Sequence, residues 1–207
     1  MDNYNVIHAP GEGEYEEKKS RFIGHAFPIS NEEEALRIID QVKRKYWDAR
    51  HNCYAFITGD NGEILRFSDD GEPGGTAGRP ILDVLSGAGL RGALIVVTRY
   101  FGGTLLGTGG LVRAYTAASK EALAAADIRQ MVSASQVGIT TNYTDWGKLQ
   151  YYLTEAKITI EDTTYTDKVE VIICVEQDRV SQVLDEITGL TNGKSEITII
   201  DTGYFAL

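Results

Sequence analysis

The sequence predicts an α+β protein of two domains, and three observations lead to this prediction. Strand and helix patterns follow one another along all 207 residues, a length that suits one large or two small domains. Twelve of the 22 glycines lie between Ser68 and Arg113, and the last third of the chain has few. The pattern changes near residues 128–135, which we interpret as a small polar linker, so we expect domains at residues 1–130 and 135–207.

The first domain begins with one or two strands between Glu14 and Ile29. Ser30 and Glu33 form a capping-box pattern, and the helix that follows has an apolar face with acids at its start and bases at its end. Strands at 52–58 and 63–67 flank an Asp-Asn-Gly turn, as in a hairpin.

The rest of this domain contains the two glycine-rich runs, residues 68–80 and 98–113. Pro80 fits the first turn of a short helix between them. The continuous apolar run from Ala93 to Phe101 predicts a strand that is buried on both faces. A helix at about 108–126 completes the domain.

The second domain shows a strand–helix–strand–strand–helix–strand pattern. The predicted elements are strand 135–142, helix 145–156, strands 159–164 and 168–176, helix 179–188 and strand 196–202. This βαββαβ order is the ferredoxin-like pattern.

The composition excludes several classes of protein. The net charge is −10, which is unfavourable for general nucleic-acid binding, yet Arg91, Arg99 and Arg113 are the only charged residues from Val84 to Ser119. No secretion signal or membrane-spanning run is visible, so we expect a cytoplasmic protein. Cys53 and Cys174 fit buried free thiols better than a disulfide or a zinc site.

The second glycine-rich run predicts an anion site, because free amides at a helix start attract negative charge. The residues expected to form it are the arginines, glycines and histidine of this region: Arg79, Arg99, Arg113, Gly102, Gly103, Gly107, Gly109, Gly110 and His51. Two of them, Arg99 and Arg113, would clamp the anion. The alternative is that the glycines serve tight packing and that the arginines pair with acids of the first run.

Those acids are Asp69, Asp70 and Glu72. They fit a tight turn in which carboxylates accept bonds from nearby amides. We expect no cofactor, except Mg²⁺ if it is held jointly with a bound phosphate. His51 fits a polar lining residue better than a base for a Cys53 nucleophile, and no catalytic residue is assigned.

These motifs resemble the IMPACT family and its YigZ-like bacterial members. The resemblance is carried by several segments in order: Lys19–Ile23, Ala49–Ala55, Ser68–Pro73, Gly75–Gly78, Thr98–Gly103 and Gly109–Tyr115. It implies a first domain like the second domain of a small-subunit ribosomal protein, a β/α sandwich that elongation factor G and the GHMP kinases also use. It implies a ferredoxin-like second domain similar to the last domain of elongation factor G.

The resemblance also implies a role linked to translation. Eukaryotic relatives restrain a translation-controlling kinase through an additional domain for which we see no counterpart in these residues. We therefore expect a binding or regulatory protein that contacts RNA, the ribosome or a translation factor, and no membrane. The alternatives are an enzyme or sensor of a phosphorylated small molecule or nucleotide at the glycine-rich loop, and a scaffold that docks a protein there.

Overall fold

The computed structural model describes residues 3–206. The chain forms two units, an N-terminal unit of Tyr4–Arg129 and a C-terminal unit that begins at Gln130. Within the described residues, the N-terminal unit has six strands and three helices: β1 (Tyr4–Ala9), β2 (Gly11–Glu17), β3 (Ser20–Pro28), α1 (Glu32–Lys45), β4 (His51–Thr58), β5 (Ile64–Ser68), α2 (Gly78–Gly87), β6 (Ala93–Tyr100) and α3 (Gly107–Ala124).

Five of these strands form an antiparallel sheet in the order β2-β3-β6-β4-β5. The central strand, β6, is buried along nearly its whole length, as its apolar run predicted. Its side chains alternate between the two faces: Ile95 and Val97 pack in one core, and Leu94 and Val96 in the other. Both faces of the sheet are therefore covered.

Helices α2 and α3 cover one face, and α1 covers the other. Helix α1 begins one residue later than the capping box predicted. Asn31, not Ser30, is the capping residue, and its side chain accepts the N–H of Glu34 at 2.9 Å. The carboxylate of Glu34 accepts the N–H of Ser30 at 2.8 Å, so Glu34 takes the role expected for Glu33.

The C-terminal part completes the chain with strands β7 (Asp127–Thr141), β8 (Thr159–Tyr165), β9 (Val169–Glu176) and β10 (Glu196–Ala206), and with helices α4 (Tyr143–Glu155) and α5 (Val180–Leu190). The strands pair antiparallel in the order β10-β7-β9-β8. This is the predicted βαββαβ order, and the α+β class in two domains is confirmed.

The prediction of a linker at 128–135 is wrong, because these residues belong to strand β7. Strand β10 continues to Ala206, and its last four residues pair with Met131–Ala134. Small polar residues are compatible with a strand when a partner takes up their backbone hydrogen bonds. Among the helices of residues 3–206, none is long and apolar enough to cross a membrane.

Candidate functional site

The segments that carry the sequence motifs come together at one edge of the N-terminal sheet. Because neighbouring strands run antiparallel, the ends of β2, β6 and β5 and the starts of β3 and β4 lie at the same edge. We call this edge the glycine-rich end. It comprises the β2–β3 turn (residues 18–19), the segment before β4 (47–50), the loop after β5 (69–77) and the loop after β6 with the start of α3 (101–110).

Gly102 brings the loop after β6 against the β2–β3 turn. A Cβ atom at this position would overlap the backbone of Lys19, so any other residue would have to push the turn away. The N–H of Gly102 donates to Ser20 Oγ at 3.1 Å. Gly102 therefore joins two motifs that are about eighty residues apart in sequence.

Asp69 holds the loop after β5 to the start of α2. Its Oδ1 accepts the N–H groups of Ala77 and Gly78 at 3.0 and 2.8 Å, and its Oδ2 accepts that of Gly75 at 2.8 Å. These bonds satisfy amides at a helix start that has no cap of its own. Asp69 therefore stabilises a tight turn by accepting bonds from nearby amides, as the sequence predicted for the acids of this run.

Asp70 is also engaged by the protein. Its Oδ2 accepts the N–H of Asn52 at 2.7 Å, and its Oδ1 accepts Lys43 Nζ at 2.8 Å. Within residues 3–206, no three His, Cys, Asp or Glu side chains are grouped so that they could hold a metal ion.

A pocket of about 380 Å³ opens between the two glycine-rich runs. The first run contributes Glu72 and Pro73, the second contributes Phe101, Leu105 and Gly107, and His51 and Arg99 come from β4 and β6. Phe101 and Leu105 are 44% and 83% exposed. The pocket therefore has an apolar rim and a charged floor.

Glu72 and Arg99 form an ion pair at the floor of this pocket. Arg99 Nη1 donates to Glu72 Oε1 at 2.6 Å, and the two side chains are 7% and 3% exposed. The hydroxyl of Tyr115 donates to the same oxygen at 2.8 Å. Arg99 Nε is buried without a partner among the described residues. The guanidinium also lies 5.7 Å from the centre of the Phe101 ring.

Tyr115 and Cys53 extend this network into the core. Burial raises the pKa of the Tyr115 hydroxyl and of the Cys53 thiol well above their ordinary values, so both stay protonated. Cys53 Sγ lies 3.0 Å from the carbonyl oxygen of Asp69 and 3.3 Å from the Tyr115 hydroxyl oxygen. A protonated, buried thiol is not a nucleophile, so Cys53 is a structural residue.

His51 lies between the two glycine-rich runs with a defined tautomer. Its Nδ1 is 2.9 Å from the carbonyl oxygen of Asp70, which can only accept, so Nδ1 carries the proton. Its Nε2 lies 3.9 Å from Glu72 Oε1. His51 lines the pocket, and within residues 3–206 neither of its ring nitrogens forms a hydrogen bond with Cys53.

The start of α3 forms one wall of the pocket. Leu106 is the N-cap, no side chain caps the helix, and the first turn carries no acid. Gly107 has a φ of 71°, a left-handed conformation that glycine adopts without strain. Gly107 and Thr108 line the pocket, with Gly109 and Gly110 next along the first turn. The helix start therefore presents uncapped amides beside the pocket.

The other predicted residues lie around this site or outside it. Gly103 is in the loop after β6. Arg113 is exposed and does not line the pocket; its Nη1 lies 3.6 Å from where a Cβ at Gly109 would be. Arg79 is on the surface of α2, paired with Asp83 at 2.8 Å. The predicted clamp of an anion between Arg99 and Arg113 does not match the geometry, because Arg99 is paired with Glu72 and Arg113 lies outside the pocket. Anion binding itself stays a prediction.

The predicted site did not include eight residues that line the pocket, among them Arg50, Leu105 and Leu106, nor Tyr115 in its hydrogen-bond network. Two leucines inside a glycine-rich loop were a usable signal, since such loops have no core of their own to bury them. The role of Tyr115 had no signal, because its position on α3 equally predicts a core residue, and it is one.

Two family models match the chain. Residues 18–123 match the Impact N-terminal domain, and residues 139–194 match a domain of unknown function, DUF1949. The first match covers the whole glycine-rich end, and the second falls within the C-terminal unit.

Individual proteins agree with these matches. The Bacillus subtilis IMPACT family member YvyE is 39% identical over 197 residues, which are 95% of this chain and 91% of that protein. The Escherichia coli IMPACT family member YigZ is 32% identical over 203 residues, 97% of this chain and 100% of that protein. A crystal structure of a hypothetical protein, 32% identical, superposes with a TM-score of 0.60 and covers 97% of this chain and 98% of its own.

A eukaryotic relative shares a shorter stretch. The IMPACT homologue of Dictyostelium discoideum is 42% identical over 95 residues, which are 44% of this chain and 27% of that protein. With a family model over half of its length and full-length bacterial relatives, this chain belongs to the IMPACT family.

Proposed function

We propose that this protein is a regulatory binding protein of translation that binds single-stranded RNA at the glycine-rich end. The observation that carries the proposal is a set of four exposed cations: Arg50 at the pocket, Lys18 and Lys19 in the β2–β3 turn, and Arg113 on α3 beside Gly109. None of them forms an ion pair with any of residues 3–206. Unpaired cations at one edge are available to phosphates.

The acids of the same edge are already engaged by the protein. Glu17 accepts from Tyr15, Asp48 accepts from Tyr100, and Asp70 accepts from Lys43. Asp69 and Glu72 are held as described above. Lys43 and Arg99 offset the charges of Asp70 and Glu72, whereas Glu17, Asp48 and Asp69 accept from neutral groups and keep their negative charges. The four unpaired cations outnumber these three acids, so the net charge of −10 overstates the repulsion that a phosphate backbone would meet at this edge.

Exposed apolar and aromatic side chains at the same edge suit unpaired bases. Phe101 and Leu105 rim the pocket, and Trp47, in the segment before β4, is 81% exposed. Stacking on such side chains contributes about 1–3 kcal/mol per base and needs no particular sequence. The link to translation rests on membership of the IMPACT family, which is generally linked to the regulation of translation.

Fluorescence anisotropy with single-stranded RNA over a range of salt concentrations tests this proposal. Lys19→Glu/Arg113→Glu should weaken binding and flatten the slope of log K against log salt by about 1.4, at about 0.7 per lost phosphate contact. The matched control is Lys120→Glu/Lys168→Glu, which changes the charge equally at exposed cations outside the glycine-rich end. No salt-dependent binding by the unaltered protein, with no co-sedimentation with ribosomes, would remove the proposal.

A further inference from the structure

The pocket itself points to a narrower ligand class than RNA in general. We infer that it holds one phosphorylated nucleoside unit, with the phosphate at the start of α3, an apolar ring face against Phe101 and Leu105, and a hydroxyl or amino group donating to Glu72. This inference rests on the proposed function, and it specifies which class of ligand the pocket at the glycine-rich end binds. The unit could be a free mononucleotide or the phosphorylated end of an RNA.

The size of the pocket limits the occupant. Its volume of about 380 Å³ is near the lower limit of small-molecule sites, which run from about 300 to 1,000 Å³. One nucleotide fits such a space, and a dinucleotide would extend beyond it onto the exposed rim. A strand of RNA would therefore place one nucleotide in the pocket and the rest along the cations outside.

The charges of the lining favour an anion. Arg50 and Arg99 contribute two positive charges and Glu72 one negative charge, a sum of +1 for these three side chains. The positive end of the α3 dipole adds to this positive charge, and no acid in the first turn of α3 offsets it. The phosphate group of a nucleotide meets this field where Gly107 and Thr108 line the pocket.

Arg99 is an observation independent of the helix start. Its side chain is 93% buried, and among the described residues only one of the three guanidinium nitrogens, Nη1, has a hydrogen-bond partner; Nε is itself buried from the pocket. An incompletely bonded buried cation is costly. An anion in the pocket would compensate for this charge, which Glu72 contacts through one oxygen.

Glu72 adds a requirement that inorganic phosphate does not meet. Its Oε1 accepts both protein bonds, from Arg99 and Tyr115, whereas Oε2 accepts none from residues 3–206. A carboxylate oxygen at a pocket wall needs a donor, which a ribose hydroxyl or a base amino group supplies. The occupant is therefore an anion that also carries donors and an apolar ring, which together describe a nucleotide.

Calorimetric titration of the whole protein with AMP, GMP, CMP and UMP tests the inference. Adenosine, ribose 5-phosphate and inorganic phosphate serve as probes that lack the phosphate, the base or both organic parts. We expect at least one mononucleotide to bind at least tenfold more tightly than all three. If inorganic phosphate binds as tightly, or if no mononucleotide binds at millimolar concentration, the inference is wrong.

Substitutions at two positions, Thr108 and Phe101, test the geometry without disturbing the core. Thr108→Glu places a negative charge in the first turn of α3, which suits the helix dipole but competes with a phosphate. It should raise the Kd of the nucleotide at least tenfold without lowering the melting temperature, whereas Thr108→Gln should change the Kd less than threefold. Phe101→Ala should weaken the binding of mononucleotides and leave the binding of inorganic phosphate unchanged. Equal Kd values for Thr108→Glu and Thr108→Gln would overturn the phosphate position.

RNA hexamers with a 5′-phosphate or a 5′-hydroxyl distinguish the two sources of the ligand. Tighter binding of the phosphorylated hexamer, lost in Thr108→Glu, would identify an RNA end as the occupant. Binding of mononucleotides without salt-dependent RNA binding would support the pocket and refute the RNA function. RNA binding that depends on Lys19 and Arg113 but not on Thr108 or Phe101 would refute the pocket and support the RNA function.

Discussion

Removing the negative charge of Glu72 should destabilise the N-terminal unit strongly, because it leaves Arg99 as a buried, unpaired cation. Glu72→Gln keeps an oxygen that can accept from Tyr115 and Arg99, while it removes the charge and replaces the second oxygen by an amino group. The ion pair is 2.6 Å long between side chains that are 3% and 7% exposed. Breaking such a pair costs about 3–5 kcal/mol, which lowers the melting temperature by roughly 6–20 °C in a chain of this size.

Differential scanning calorimetry and urea unfolding measure this effect. The matched control is the exposed pair of Arg79 and Asp83, 2.8 Å long, whose side chains are 62% and 61% exposed. Asp83→Asn should cost about 0.5 kcal/mol or less, because solvent screens this pair. The two ion pairs have similar lengths, so the comparison isolates the effect of burial.

The double variant Glu72→Gln/Arg99→Met completes the test. It removes both charges, and we expect it to be more stable than the sum of the single variants by about 2 kcal/mol or more. A Glu72→Gln protein within about 1 kcal/mol of the unaltered one would refute the reasoning, since water would then be stabilising Arg99. A stable double variant that no longer binds nucleotide would indicate that the pair serves the ligand more than the fold.

Three further outcomes follow from the structure. Asn31→Ala should cost about 1 kcal/mol in urea unfolding and Ser30→Ala clearly less, because Asn31 is the residue that caps α1. A thiol reagent at pH 8 should label Cys53 and Cys174 only after unfolding, since burial raises the pKa of both thiols; rapid labelling of the folded protein would contradict this. Burial lowers the pKa of His25, so the unfolded chain takes up a proton that the folded one does not. Stability should therefore fall as the pH drops below about 6.5, and His25→Gln should flatten that part of the profile.

Local pattern predicted most of the elements of this protein. The apolar run at Ala93 identified the central strand, because a strand buried on both faces has no polar alternation. The order of strands and helices after Ser135 identified the second domain, because the βαββαβ order is the ferredoxin-like pattern. The pattern misjudged the start of β7, where β10 extends far enough to pair with Met131–Ala134.

The sequence by itself determined that the chain has two α+β domains and that its unusual chemistry lies in two glycine-rich runs, since periodicity and glycine content are local properties. Only the tertiary structure decided which groups meet. Cys53 and Tyr115 are 62 positions apart, and Glu72 and Arg99 are 27 apart. Their contacts depend on strand order and register, which place His51 opposite Arg99 and both beside the loop of Glu72. An arginine at the end of a strand has the same sequence signature whether it faces a ligand or a carboxylate, and here a carboxylate from a distant loop reaches it.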